Sequence, residues 1–238
     1  MPTQNLLYKN EYTINENIHI QIPTVGEILE QEDSYYSMVA MLTAMPIDMM
    51  VQLDDIGIDF TTINEYELFL LLFEGLKQMD TSLVFRDLDL KPFEKVVNMQ
   101  NEQLMLINRE TGVRIDRALQ VQIADILRKI HHLEKNTRKP ANGEAREYMI
   151  KRARKKMQRE SKRINDSQLE GLIVALVNTS EFGYGYEEVR HLSIYQFNQS
   201  FRQIAHKINY DNRMHGVYSG TVNVKELSQD DLTWLIHK

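Results

Sequence analysis

Cysteine is absent from all 238 residues of the chain. That excludes a disulfide framework, thiolate metal sites and a cysteine nucleophile, and it suits a reducing cytoplasm. Long apolar runs are missing as well. The longest, LFLLLF and LIVALV, fall far short of the roughly 20 residues a bilayer-spanning helix needs. The opening stretch MPTQNLLYKNEYTINENIHI has no apolar core of signal-peptide length. There is no Walker A sequence, no GxSxG elbow and no HExxH pair, and no repeat or low-complexity tract. What remains, 42% hydrophobic and 26% charged residues, is the make-up of a folded soluble protein rather than a disordered one. At this length it has one or two domains and a sizeable core, and the expected site is intracellular.

Partial matches to catalytic patterns fail on spacing. FGYGYEE supplies Gly183 and Gly185, but a dinucleotide fingerprint needs a third glycine where Glu188 stands. His131 and His132 are adjacent on an expected helix, so their side chains point about 100° apart and make poor co-ligands. Their bland reading is a helix C-terminus that tolerates positive charge. DDIGID brings Asp54, Asp55 and Asp59 close in sequence, and Asp87 and Asp89 form another pair. Such carboxylates can hold Mg²⁺ or Ca²⁺, which makes a metal-dependent hydrolase the most distant of the readings. Without EF-hand spacing, solvated loop acids fit better. No enzyme, cofactor or metal is expected.

The hydrophobic period predicts a predominantly helical α+β fold with an N-terminal β-hairpin and a short central antiparallel sheet. EYTI and IHIQI alternate around an Asn15–Glu16–Asn17 turn, and Pro23 stops the second strand. Thr24 with Glu27 forms a capping box before a helix broken near 31–34. Pro46 opens a helix through Leu53, and Thr62 with Glu65 caps the apolar helix YELFLLLFEGLKQ. Short strands follow at 93–97 and 103–107, with a third after a turn at Gly112. Asp116 starts a helix running to Lys135. NTRKPANGE reads as a linker, dividing an acidic region 1–135 from a helical region 145–238, with 136–144 between them. Ser167 with Glu170 caps LEGLIVALVN. Ser193 with Gln196 caps a helix to Ile208 that turns Ile194, Phe197, Phe201, Ile204 and Ile208 inward. The tail reads as a turn, a short strand and a short helix capped by Ser228.

Charge is distributed unevenly. From Glu27 to Asp89 there are fourteen carboxylates against Lys77 and Arg86, a net of −12, while residues 145–163, AREYMIKRARKKMQRESKR, carry nine Lys or Arg and two Glu. Met149, Ala153, Met157 and Ile164 give that stretch only a narrow apolar stripe, so it is expected to be a surface helix. Opposite fields within one chain suit docking of the acidic half of one copy, or of an acidic partner, onto the basic helix of another. Phosphate binding by the same cations is the alternative, opposed by a pI near 5.7 and by scarce aromatic interleaving. Partner contacts are expected at Arg152, Lys155, Lys156 and Arg159, with Tyr184, Tyr186 and Trp234 as aromatic anchors. Twelve methionines favour adaptable protein surfaces.

Two segments, IPTVGEILEQEDSYYSMVAMLTAMPIDMMVQLDDIGIDF and LSIYQFNQSFRQIAHKI with GVYSGTVNVKELSQDDLTWL, resemble proteins encoded in the virion-morphogenesis gene clusters of tailed phages of Gram-positive bacteria. The resemblance extends over most of the chain and carries no catalytic motif. It implies a tail or baseplate assembly factor or structural subunit, located in the host cytoplasm or the virion. Other phage virion or assembly proteins would be its partners, with a homo-oligomer as a further option and no membrane. The alternative function is a nucleic-acid-binding protein using 145–163.

Overall fold

The computed structural model describes residues 5–98, 103–160 and 167–236. Strands β1 (Glu11–Asn15) and β2 (Ile18–Gln21) pair antiparallel, Tyr12 facing Ile20 and Thr13 facing His19. The turn closes because the Asn15 side chain accepts the N–H groups of Asn17 and Ile18. The alternation then points Ile18 and Ile20, both fully buried, into the core.

Helix starts follow the capping chemistry. Thr24 and Glu27 form the expected box at α1 (Val25–Leu29), and the break falls at Gln31, whose non-helical backbone separates α1 from α2 (Glu32–Thr43). The helix expected from Pro46 begins later, as α3 (Met50–Asp55), because residues 46–49 form turns in which Asp48 caps Met45 N–H. The box expected at Thr62 and Glu65 is displaced by two residues. Asn64 caps α4 (Glu65–Leu76) with Glu67 as its reciprocal partner, while the Thr62 hydroxyl donates to the Asp59 carbonyl. This register sends Glu65 inward. Helix α4 is the central core helix, burying Leu68, Phe69, Phe73 and Leu76.

After a short α5 (Ser82–Phe85), strands β3 (Phe93–Val97), β4 (Leu104–Asn108) and β5 (Arg114–Ile115) form an antiparallel meander. Phe93, Leu106 and Ile115 supply its buried face. Gly112 sits at φ +72 in the β4–β5 turn, a conformation glycine adopts without strain. Asp116 caps α6 (Arg117–His131), which ends earlier than Lys135 because His132 turns left-handed and closes it. Helix α7 (Gly143–Glu160) has no buried residue, in keeping with its expected surface position; the end of its basic stretch and Ile164 lie outside the described residues.

Helix α8 (Gln168–Val177) is capped by Ser167, which accepts Glu170 N–H. A reciprocal Glu170 contact is not what completes this start. Glu32 of α2 does so, accepting Leu169 N–H and the Ser167 hydroxyl. A short α9 (Tyr186–Val189) follows. Ser193 and Gln196 then box the start of α10 (Ile194–Tyr218), which runs ten residues past Ile208. Of its expected inward positions, Ile194, Phe197 and Ile204 are buried, whereas Phe201 and Ile208 are exposed.

The strand expected in the tail is replaced by 3₁₀ turns at Val224–Glu226 and Asp230–Leu232. Among the described residues no strand pairs with the tail. Instead Thr221 and Val222 donate to the Gly216 carbonyl, and Val222 packs where a Cβ on Gly216 would stand. The tail folds back along α10, with Ser228 and Asp231 exchanging hydrogen bonds as its cap.

One apolar cluster takes residues from both sides of 136–144. Ile28, Phe73 and Leu127 share it with Leu169, Ile173, Phe197 and Ile204. A second, smaller cluster of Ala44, Ile47, Leu53, Phe60 and Leu68 lies beneath α7, which lays Met149 and Ile150 against it.

Candidate partner-binding surface

The period of α7 sorts its side chains into two rows. Arg146, Met149, Ile150, Ala153 and Arg154 recur at helical spacing on the side turned to the body. There Arg146 pairs with Asp59, and the Arg154 guanidinium spans Asp54 at 2.9 Å and Asp55 at 2.7 Å. Asp59 is held below the usual carboxylate range chiefly by the Thr61 backbone and hydroxyl donors, with Arg146 adding to the effect. The acids of DDIGID are therefore arginine partners, and no group of three His, Asp or Glu among the described residues is placed to hold a metal ion. The meeting of acidic half and basic helix happens within one chain.

The flank of the helix beside this row, along its seam with α3, is different. Arg152, Lys155, Lys156 and Arg159 border an open groove of about 650 Å³. Its floor is Met50, Met149 and Ala153, and Arg138 from the preceding segment closes one edge. Lys156 lies 3.6 Å from Glu160. Among the described residues, the other four cations have no carboxylate partner. The four predicted cations thus share one groove.

The predicted aromatics do not line it. Tyr184, 44% exposed, rests its ring 5.3 Å from Phe182, and Tyr186, 54% exposed, accepts a hydrogen bond from Asn178 at 3.3 Å. Trp234, 52% exposed, belongs to the folded-back tail, where its carbonyl accepts from Gln203. Met50 and Arg138 were not singled out in the sequence. Met50 lies about a hundred residues away in the chain, and only packing of α7 on α3 brings it near.

The adjacent histidines are not cationic. Burial lowers His131 to about 4, and its Nε2 shares a 2.8 Å hydrogen bond with the Tyr35 hydroxyl. Burial, with Arg202 alongside, also lowers His132 to about 4. The Arg202 guanidinium donates to its Nδ1 at 2.8 Å. No helix among the described residues is long and apolar enough to cross a membrane.

Residues 156–237 match the family model described as the YomV second domain. That family is phage-associated, in agreement with the phage resemblance of the quoted C-terminal segment, which lies inside the match. The YomV match begins in the last turns of α7 and continues through α8, α9, α10 and the tail, about a third of the chain. It includes Lys156, Arg159, Tyr184, Tyr186 and Trp234; Arg152 and Lys155 precede it. No curated protein and no solved structure matches the chain.

Proposed function

We propose that the chain is a non-enzymatic phage assembly protein that binds another virion or assembly protein through the outer row of α7. The observation that supports this is the contrast between the two rows. The inner arginines pair with Asp54, Asp55 and Asp59, while of the outer cations around the apolar floor Lys156 alone has a carboxylate, Glu160 of its own helix, among the described residues. Exposed cations on a rigid helix steer an acidic partner and fix its register. Tyr184, Tyr186 and Trp234 lie off this groove, so any contact they make belongs to a second surface, and a homo-oligomer would draw on it. The work takes place in the host cytoplasm, and in the particle if the protein stays there. The test is affinity capture of the tagged chain from phage-producing cells, then reconstitution with the purified partner. A phage-encoded structural or assembly protein should bind the wild type and be lost from Lys155→Glu/Lys156→Glu. Capture that ignores the charge reversal would refute the reading.

Nucleic-acid binding remains the second reading, because Tyr148, 67% exposed, projects from the same basic helix. It predicts oligonucleotide affinity that falls steeply with salt and disappears in the same charge-reversal variant.

A further inference from the structure

The inner face of α7 shows what kind of segment this helix accepts. It holds a stretch of the same chain in which Asp54, Asp55 and Asp59 flank Ile58. The carboxylates go to Arg154 and Arg146. Ile58 and Ile150 meet beside them in a small cavity of about 170 Å³. The recognised unit is an apolar side chain between carboxylates.

The outer groove repeats that make-up with its place open. Thioether and methyl groups of Met50, Met149 and Ala153 form the floor, and guanidinium and ammonium groups stand around it. We propose that this groove binds an acidic polypeptide segment of a partner protein, one that sets an apolar side chain between its carboxylates. The inference rests on the partner-binding reading above and adds the partner's chemistry. Charge complementarity selects the carboxylates. The floor selects the apolar residue, because a side chain seated there leaves water while the flanking acids reach the rim. A phosphodiester backbone fits less well. It matches the cations but gains nothing from the thioether floor, and no aromatic ring lines the groove for a base to stack on.

The test is fluorescence anisotropy on the full chain with three labelled probes. These are a synthetic peptide in which aspartates and glutamates flank a leucine, its serine counterpart of equal charge, and a single-stranded deoxyoligonucleotide. The leucine peptide should bind about tenfold more tightly than the serine peptide. Arg152→Glu/Arg159→Glu should abolish its binding, and Ala153→Gln, which fills the floor at a half-buried helix position, should erase the leucine preference. Circular dichroism verifies that both variants stay folded. Equal binding of the two peptides overturns the inference, as does tighter binding of the oligonucleotide. Self-association of the wild type that vanishes in Arg152→Glu/Arg159→Glu also overturns it, since the occupant is then a second copy. If neither peptide binds while Arg152→Glu/Arg159→Glu still loses the captured phage protein, the segment chemistry is wrong and the partner-binding reading stands. If capture survives that variant, the reading itself falls.

Discussion

Glu65 and Arg128 are charged residues in the interior, 9% and 6% exposed, and their arrangement explains why the interior tolerates them. The Arg128 guanidinium reaches Glu65 at 2.5 Å, Asp125 at 2.9 Å and the Thr43 carbonyl at 2.6 Å, while Lys135 takes the second Glu65 oxygen. One guanidinium, that of Arg128 in α6, thus ties α2 and α4 to its own helix. Removing one member of a buried ion pair strands the other, at a cost of about 3–5 kcal/mol, so Glu65→Gln should lower the thermal midpoint sharply, whereas Glu67→Gln, at the exposed cap of the same helix, keeps an acceptor for the Asn64 N–H and should cost less than about 1 kcal/mol. A thermal scan of both variants checks the difference. His131 gives the pH dependence. Its folded value of about 4 lies below the ordinary 6.5, so between those values the unfolded chain binds a proton that the folded chain refuses. Stability therefore falls as pH drops from about 6.5 and levels off below about 4, losing up to about 3 kcal/mol from this group. His131→Gln keeps a partner for the Tyr35 hydroxyl without titrating. The acid loss measured by denaturant midpoints from pH 7 to 4 should shrink accordingly, and an unchanged pH profile would remove His131 from the account.

At the scale of elements, the starts of α1, α6 and α10 were legible because each cap is chemistry between neighbours in sequence: Thr24 with Glu27, the Asp116 carboxylate on Leu119 N–H, Ser193 with Gln196. Around 62–67 two boxes overlap, and local chemistry does not choose between them. The choice of Asn64 is made by Arg128 and Lys135, which claim Glu65 from far away in the chain. The tail strand was misread for a related reason: its alternation resembles a strand, yet a strand needs a neighbour, and Gly216 offers a packing surface instead. Helix α7 was legible as a basic surface helix. The sign of its charge did not reveal that Arg146 and Arg154 meet acids of their own chain, although the spacing of Arg146, Ile150 and Arg154 sets them on one face, apart from Lys155 and Arg159. Its seat on α3 and the following loop consists of the exposed Arg154 pairs with Asp54 and Asp55, the half-buried Arg146–Asp59 pair and part-buried Met149 and Ile150, and salt screens the exposed pairs most. Raising salt from about 0.05 to 1 M should speed amide hydrogen exchange in 143–160 while leaving α4 protected. Asp54→Asn/Asp55→Asn should produce the same release at low salt. Equal protection under all conditions would show that apolar contact alone seats the helix.

The whole molecule joins what composition divides. The acidic 1–135 and the helical 145–238 differ in charge, yet their apolar side chains enter one cluster: Leu169, Ile173, Leu176, Phe197 and Ile204 sit with Ile28, Phe73 and Leu127. Polar contacts add to the joint. Glu32 of α2 caps α8, Thr24 bridges to Ser193, and Gln196 of α10 donates to the Leu7 carbonyl at 2.8 Å. Burying a large aliphatic or aromatic side chain contributes about 1.5–3 kcal/mol, so these core residues together outweigh what a single backbone connection supplies. The connection is dispensable by this reasoning. A protease site placed between Ala141 and Gly143, in the exposed stretch before α7, should be cut in the folded chain. The two pieces should then co-elute in size exclusion at low salt and separate only in denaturant, with both pieces losing helical circular dichroism over one transition. The tryptophan offers a separate probe: Trp234 is the only one in the chain and rides on the tail, held to α10 through Gln203 and the His206–Thr233 contact. Its fluorescence should change before the helical signal does, because few buried contacts hold the tail. Pieces that part on cleavage in native buffer would show two independently folded units, and the shared cluster would then be a contact between domains rather than the core of one.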